Sequence, residues 1–364
     1  MESRNLIGRA VAEADTPALL VDIDALQANI DRMAAFFEGK LCGLRPHFKS
    51  HKCTRIAWMQ IEAGAVGITC AKLGEAEVLA DAGITDILIA NQIVGTCKIA
   101  RLVELAKRAN PMVAVDSPDN VKELSRVASN AGVTIRALVE VDIGMNRCGV
   151  APDKPALELA EIVAVSPGLS FEGLQGYEGH LVLLRDDEER AEKTRAALGA
   201  LVDTRRRIED SGLPVNIVSG GGTGTYEITG DYPGIDEVQA GTYATMDWWY
   251  GEIRPEFRQA ISILTAICSR PRTGVAIVDV GTKGVGADFG PPRLKGVPGG
   301  EIGRFGSEEH TVLVIPDSGP RLGDKIEMIP SHGCATCNLY REFIVHKNGV
   351  VADIWPIEGS GKLQ

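Results

Sequence analysis

Residues 44–53 read LRPHFKSHKC, with Arg45, His47, Lys49 and His51 at every second position. Side chains alternate between the faces of a strand, so this spacing predicts one face carrying those four groups. The other face would carry Phe48, Ser50 and Lys52. The run follows a helix-patterned segment, DALQANIDRMAAFF (24–37), and stands where a buried strand is due. The inner face of a barrel strand near its C-terminal end is where such polar groups are used chemically. A lysine there is partly dehydrated, which lowers its pKa and makes its amine nucleophilic.

Outward from this stretch, apolar runs alternate with helical ones. After ALLVDI (18–23) come eight strand-like runs: LRPHFKS (44–50), AVGITCA (65–71), DILIAN (86–91), MVAVDS (112–117), IRALVEVDI (135–143), FEGLQGY (171–177), VNIVSG (215–220) and EVQAG (237–241). Helical segments such as KLGEAEVLADAG and DNVKELSRVASNAG separate most of them. Strand–helix alternation of this kind implies parallel strands joined by right-handed crossovers. Eight of them match an α/β fold built on a closed (β/α)8 TIM-type barrel. Beyond about residue 255 the long helices stop, and runs such as VAIVDVG, HTVLVIP and REFIVHKNG predict an additional antiparallel β domain. The expected division is a barrel over 17–255 and a β domain over 256–364 that also takes in the tail 1–16.

The chain has 364 residues, enough for two cores, and 45% of them are hydrophobic. Its 49 acidic against 38 basic side chains give a net charge of −11, which argues against nucleic acid or an anionic membrane as partner. No run of about 18 apolar residues suits a membrane span, and the first residues lack the apolar core of a secretory signal. A cytoplasmic protein is expected. The eight scattered cysteines then read as free thiols rather than a disulfide framework.

Several loops carry candidate chemistry. VSGGGTGTYE (218–227) follows the seventh run, and successive glycines there expose backbone N–H groups that can cradle a phosphate. VQAGTYATMD (238–247) places Gly241, Thr242 and Tyr243 at the end of the next run, where they can complete the same anion site. In VDIGMNRCGV (141–150), a tight turn would aim Arg147 over the barrel mouth. In PSHGCATCNLY (330–340), His332 and Cys334 pair an imidazole with a thiolate, donors suited to zinc or a similar divalent ion. One reactive lysine, a phosphate cradle and a barrel together point to pyridoxal 5′-phosphate, which serves as an electron sink.

These motifs, in order along nearly the whole chain, resemble the D-threonine aldolase and D-serine dehydratase family, enzymes with an alanine-racemase-like barrel (fold type III). DTPALLVD, RPHFKSHK, VEVDIGMNRCGV, SGGGTGTY, VQAGTYATMD, GPP and PSHGCATCNL carry the resemblance. It implies that Lys49 carries pyridoxal 5′-phosphate and that Arg147 and Tyr177 lie near its ring. It implies a phosphate held by Gly221, Gly222 and Thr223 together with Gly241, Thr242 and Tyr243. It also implies a divalent metal (Mn²⁺, Mg²⁺ or Zn²⁺) at His332 and Cys334, and a homodimer.

Two departures bear on the reaction. The aldolases resemble H-x-D at the metal, whereas this chain has His332-Gly333-Cys334, as the dehydratases do. The aldolases also place a histidine where this chain has Leu183. His180 and Glu178, in GYEGH, are the candidate bases in its place. The expected reaction is retro-aldol cleavage of a D-3-hydroxy amino acid to glycine and an aldehyde. The alternative is dehydration of D-serine or 3-hydroxy-D-aspartate to a 2-oxo acid and ammonia. A racemase and a non-enzymatic carrier of the cofactor are the remaining readings. The β domain with its metal motif weighs against the carrier, and Tyr340 is the one tyrosine after Tyr250 that could serve a racemase.

Overall fold

The computed structural model describes residues 3–364, which divide into two compact units. One unit comprises Met33–Lys49, Ile56–Gly241 and Lys362–Gln364. The other comprises the described residues up to Arg32 together with Ser50–Arg55 and Thr242–Gly361. Of the residues 17–255 expected in the barrel, Met33–Lys49 and Ile56–Gly241 fall in the first unit, and those up to Arg32, Ser50–Arg55 and those from Thr242 fall in the other; of the tail expected over 1–16, residues 1 and 2 lie outside the described residues.

In chain order the elements are β1 (Ala18–Asp22), α1 (Ile23–Phe37), β2 (Gly43–Leu44), α2 (Thr54–Glu62), β3 (Ile68–Cys70), α3 (Leu73–Asp81), β4 (Asp86–Gln92), α4 (Thr96–Ala106), β5 (Asn110–Val115), α5 (Pro118–Asn130), β6 (Ile135–Glu140), α6 (Lys154–Ala164), β7 (Leu169–Gly176), α7 (Asp187–Asp210), β8 (Ile217–Gly220), α8 (Tyr226–Gly230), β9 (Glu237–Val238) and α9 (Trp248–Ile253). Eight strands follow: β10 (Ile261–Arg272), β11 (Val275–Val278), β12 (Arg293–Lys295), β13 (Glu301–Arg304), β14 (Thr311–Val314), β15 (Lys325–Ile329), β16 (Glu342–Lys347) and β17 (Val350–Pro356). The short helix α10 (Gly333–Cys337) lies between β15 and β16.

β2 to β9 form one parallel sheet in the order β2-β9-β8-β7-β6-β5-β4-β3. A parallel bridge between His47 and Thr69 joins its two ends, with Val66 N donating to the Leu44 carbonyl and Thr69 N to that of Pro46, each at 2.9 Å. The sheet is therefore the closed barrel that the eight apolar runs predict. Its strands read as apolar runs because parallel strands under crossover helices are buried on both faces. Leu88, Met112 and Leu138 are fully buried together at its centre, and truncating such a leucine to alanine costs about 2–5 kcal/mol. The helices turn one stripe inward, as in α4, where Ile99, Leu102, Val103 and Leu105 are buried. α7 starts at Asp186, whose carboxylate accepts Glu189 N at 2.8 Å, and Asp187, Glu188 and Glu189 suit the positive end of its dipole.

The stretch 44–53 departs from the expected alternation. Strand pairing is brief, and Phe48–Ser50 is a 3-10 turn. Arg45 is 2% exposed and serves the N-terminal end of the barrel. It forks onto Glu237 at 2.8 and 2.6 Å and reaches Asp86 at 3.1 Å. Burial works against its charge, but the two carboxylates more than offset this and hold its pKa above the ordinary value. The four residues share no face because the chain leaves the sheet and winds into a turn before Lys49.

The other unit is a nine-stranded sheet in the order β13-β14-β11-β10-β1-β16-β17, with β15 also on β10 and β12 on β15. β1 pairs antiparallel with β10 and parallel with β16, so ALLVD lies in this sheet and outside the barrel count. Leu6, Val11, Ala14, Ala18, Leu20, Leu264, Ile344 and Val351 make one of its buried clusters, which fixes the N-terminal segment to the sheet. All eight cysteines are free thiols. Among the described residues, no helix is long and apolar enough to cross a membrane.

Candidate active site

Barrel chemistry belongs at the C-terminal ends of the strands, and Tyr177, the first residue after β7, is where several groups meet there. Lys49 Nζ lies 6.0 Å from the centroid of its ring, and Arg147 Cζ lies 5.7 Å from it. Both distances suit a cation held by the ring's electron-rich face. Lys49 leaves the 3-10 turn that ends the strand, and its backbone N–H points to His47 Nδ1 at 3.4 Å. Lys52 is differently placed. It has φ +56°, is 6% exposed, and its Nζ lies 3.5 Å from the Gly359 carbonyl.

Arg147 rides on the loop after β6, which is tied at several points. The Asp142 carboxylate accepts Gly144 N and Asn146 N, each at 3.0 Å. Val141 bridges Val150, and Gly149 N donates to Asp116 at 3.1 Å. This is the tight turn that the sequence predicts. Its base also holds a group the sequence reading passed over, Glu140, whose Oε1 is 3.8 Å from Arg147 Nη2.

The glycine loop after β8 packs on the same tyrosine. A Cβ at Gly222 would sit 3.3 Å from the Tyr177 ring, and one at Gly224 would meet the Val182 carbonyl at 1.8 Å. Only glycine permits the loop this close approach. Beneath it lies Glu178, fully buried. Its Oε2 accepts Gly221 N at 3.2 Å, and its Oε1 accepts the hydroxyls of Thr225 and Thr229 at 2.8 and 2.7 Å. Gly222 N donates to Thr225 Oγ1 at 3.2 Å. The carboxylate thus braces the loop from below, and its acceptor sites are directed inward. Thr223, at the loop's tip, is 2% exposed.

His180 lies three residues beyond Tyr177 and is exposed. It lines a groove of about 530 Å³ with Asp142, Leu181 and Lys193, and its Nε2 comes within 3.1 Å of a Cβ placed on Gly144. Gly241 closes the barrel segment. Thr242 and Tyr243 are buried, and Tyr243 packs on Phe257 with ring centroids 5.9 Å apart.

In the other unit, His332 caps the start of α10 and Cys334 lies in its first turn. The His332 Nδ1 meets the Asp288 carboxylate, and its ring stacks on Phe289 at 4.3 Å. Burial disfavours the imidazolium, yet Cys334 and Asp288 favour it more and lift the His332 pKa to about 10. Thr242 Oγ1 lies 4.0 Å from Cys334 Sγ. Asp247, fully buried, accepts Gly333 N and Tyr250 N, each at 2.9 Å, and so joins this turn to the start of α9. Burial pushes its carboxyl up to about 6. Among the described residues, no set of three or more His, Cys, Asp or Glu side chains is arranged to hold a metal ion. The donor set still suits one. A carboxylate on Nδ1 leaves Nε2 as the ligand atom of a metal-bound histidine, and Cys334 supplies a soft thiolate beside it.

Residues 21–247 match the alanine racemase N-terminal domain, and residues 260–346 match the putative serine dehydratase domain. The chain belongs to the alanine racemase N-terminal domain family. Pyridoxal 5′-phosphate is the cofactor this family supports. The chain is 38% identical to a D-threonine aldolase of Arthrobacter sp. over 97% of this chain and 95% of that one. It superposes on the crystal structure of a D-threonine aldolase from Filomicrobium marinum with a TM-score of 0.95, at 40% identity, over 98% and 99% of the two chains. It also superposes on a D-threo-3-hydroxyaspartate dehydratase, a cysteine-to-alanine mutant in the metal-free form. That TM-score is 0.84, at 26% identity, over 95% and 98%. These relatives are lyases.

Proposed function

We propose that the protein is a pyridoxal 5′-phosphate- and divalent-metal-dependent lyase that cleaves D-3-hydroxy amino acids by retro-aldol reaction to glycine and an aldehyde. The observation that carries this is the meeting of Lys49, Arg147 and the glycine loop at Tyr177. It occurs in a chain aligned over nearly its full length with a D-threonine aldolase.

Lys49 holds the cofactor covalently through its amine. Lys52, turned to the Gly359 carbonyl, is not the carrier in this reading. Arg147 keeps a positive charge beside the Tyr177 ring. The phosphate is held at Gly221, Gly222 and Thr223 and at Gly241, Thr242 and Tyr243, with Glu178 setting the shape of the first loop. When bound, the cofactor supplies the electron sink for the pair released as the Cα–Cβ bond breaks. His332 and Cys334 hold the metal ion, which supplies Lewis acidity. Glu178 directs its acceptor sites at three internal donors, so the base that takes the proton of the 3-hydroxyl is His180. We place the enzyme in the cytoplasm as a homodimer.

Dehydration is the second reading, favoured by one residue, Cys334. One structure of the dehydratase relative is of a cysteine-to-alanine mutant in the metal-free form. In that case Lys49 takes the α-proton, and the products are a 2-oxo acid and ammonia. Incubation with D-threonine, D-serine and 3-hydroxy-D-aspartate, assayed for glycine, aldehyde, 2-oxo acid and ammonia, tests both readings. Glycine with aldehyde supports cleavage. Ammonia with 2-oxo acid and no glycine supports dehydration. Turnover of none of these overturns both. Chelation should abolish turnover and leave the cofactor bound; full activity after exhaustive chelation would remove the metal from the proposal.

A further inference from the structure

Glu140 is a buried carboxylate at the end of a mostly apolar strand. β6 reads IRALVE, and Glu140 is 4% exposed at its C-terminal end. A charge so placed persists only when it is paired and hydrogen-bonded. Gln92, at the end of β4, donates from Nε2 to Glu140 Oε2 at 2.5 Å. Gln175 on β7 adds a second hydrogen bond. Gln175 Oε1 in turn accepts from Gln239 at 3.1 Å, and Gln239 also donates to Ser219 on β8 at 2.9 Å. A polar layer from the ends of five strands therefore crosses the barrel interior and fixes this carboxylate.

Burial raises the Glu140 pKa. Gln92, Arg147 and Gln175 act against this, and Asp116, at the end of β5, adds to it. On the side of the loop after β6, Glu140 Oε1 lies 3.8 Å from Arg147 Nη2. Arg147 is half exposed on its loop, a setting in which a guanidinium samples many rotamers. It nonetheless lies over the ring that Lys49 also approaches.

We propose that Glu140 is a positioning residue for Arg147: the glutamine-lined layer fixes the carboxylate, and the carboxylate fixes the guanidinium beside Tyr177, where it meets the cofactor. This deepens the proposed function and rests on its assignment of Lys49 as the cofactor's carrier and of Arg147 as a neighbour of the cofactor ring.

The test is a double-mutant cycle on cofactor affinity. Wild type, Glu140→Gln, Arg147→Ala and the double variant are titrated with pyridoxal 5′-phosphate, following the absorption band of the lysine-bound cofactor. The pH at which that band changes is recorded for each. Glu140→Gln keeps an acceptor for Gln92 but removes the charge that faces Arg147. It should weaken affinity about two- to fivefold, the size of one partly exposed ion pair, and shift the pH of the band. In the Arg147→Ala background the same change should have no further effect. Gln92→Ala, which frees Glu140 without removing it, should act in the same direction and be silent in that background too. Equal losses from Glu140→Gln and from Gln92→Ala with and without Arg147 would overturn the proposal, as would unchanged affinity. A wild-type band that survives Lys49→Ala would overturn the carrier assignment, and with it the inference. A band lost in Lys49→Ala alongside an additive cycle overturns the inference alone.

Discussion

Asp247 accepts the backbone N–H of Gly333 at 2.9 Å through a carboxyl group wholly shut off from solvent. Gly333 separates His332 from Cys334, so this bond helps to hold the turn that sets both donors. The other carboxylate oxygen caps α9 through Tyr250 N. Asp247→Ala leaves two buried N–H groups without an acceptor, each costing about 1–3 kcal/mol. Outer partners of metal ligands typically change metal affinity about 10- to 100-fold. The expected result is a loss of that size in Mn²⁺ or Zn²⁺ affinity by calorimetry, with the band of the lysine-bound cofactor retained. Unaltered metal affinity in a folded Asp247→Ala protein would separate Asp247 from the metal motif.

Lys49→Ala should yield protein without the band of lysine-bound cofactor, while Lys52→Ala keeps it. The contrast rests on placement: Lys49 Nζ approaches the Tyr177 ring, and Lys52 Nζ is turned to the Gly359 carbonyl. Spectra of the two purified variants decide it, and the reverse outcome would assign the cofactor to the wrong side of the 3-10 turn.

His346 offers a pH dependence far from the proposed chemistry. It lies on β16 opposite Asp22, is 7% exposed, and its Nδ1 has no hydrogen-bond partner among the described residues. Burial depresses its pKa below 6.5; Asp22 and Glu327 oppose the depression and Lys295 adds to it. A histidine with a depressed folded pKa binds its proton more readily when unfolded. Its neutral form therefore contributes stability that is present above pH 6.5 and is lost as pH falls through the folded value. Thermal unfolding followed between pH 7.5 and 5 should show Tm falling on the acid side, with a shallower fall in His346→Gln. Parallel curves for the two proteins would assign the acid sensitivity to other groups.

The barrel was legible because its parallel strands are buried on both faces and so read as mainly apolar runs, and each of the eight runs became one of β2 to β9. The stretch around Lys49 departs from its alternating pattern. Alternation assumes a strand, and the 3-10 turn at Phe48–Ser50 replaces it, sending Arg45 to Glu237 and Asp86 at the opposite end of the barrel. Asp288 and Asp247 act on His332 and Gly333 from 44 and 86 residues away, and no local pattern carries such a pairing. Glu140 gave a fainter signal: one acid ending a mostly apolar strand, which marks either a barrel mouth or a strand end. Glu178 stood in GYEGH as a candidate base, and only the fold brings Thr225 and Thr229 to its oxygens.

The choice between cleavage and dehydration turns on a base for the 3-hydroxyl. Glu178 is fully buried, with three donors directed at it. His180 is exposed, three residues from Tyr177, at the turn that carries Arg147. A neutral imidazole accepts a proton near pH 7, and removing one general base costs about 10²–10⁴-fold in rate. His180→Ala should therefore lower kcat for glycine formation from D-threonine by that factor, with the cofactor band and metal affinity unchanged. Glu178→Gln should act differently. Its amide accepts at one oxygen only, so the glycine loop loosens, and the loss should appear as weaker cofactor binding that added pyridoxal 5′-phosphate restores. If His180→Ala leaves kcat intact, His180 is only a rim residue of the α7 groove, and Cys334 with Lys49 becomes the better guide to the reaction. Ammonia release should then exceed glycine formation on every D-3-hydroxy amino acid tried.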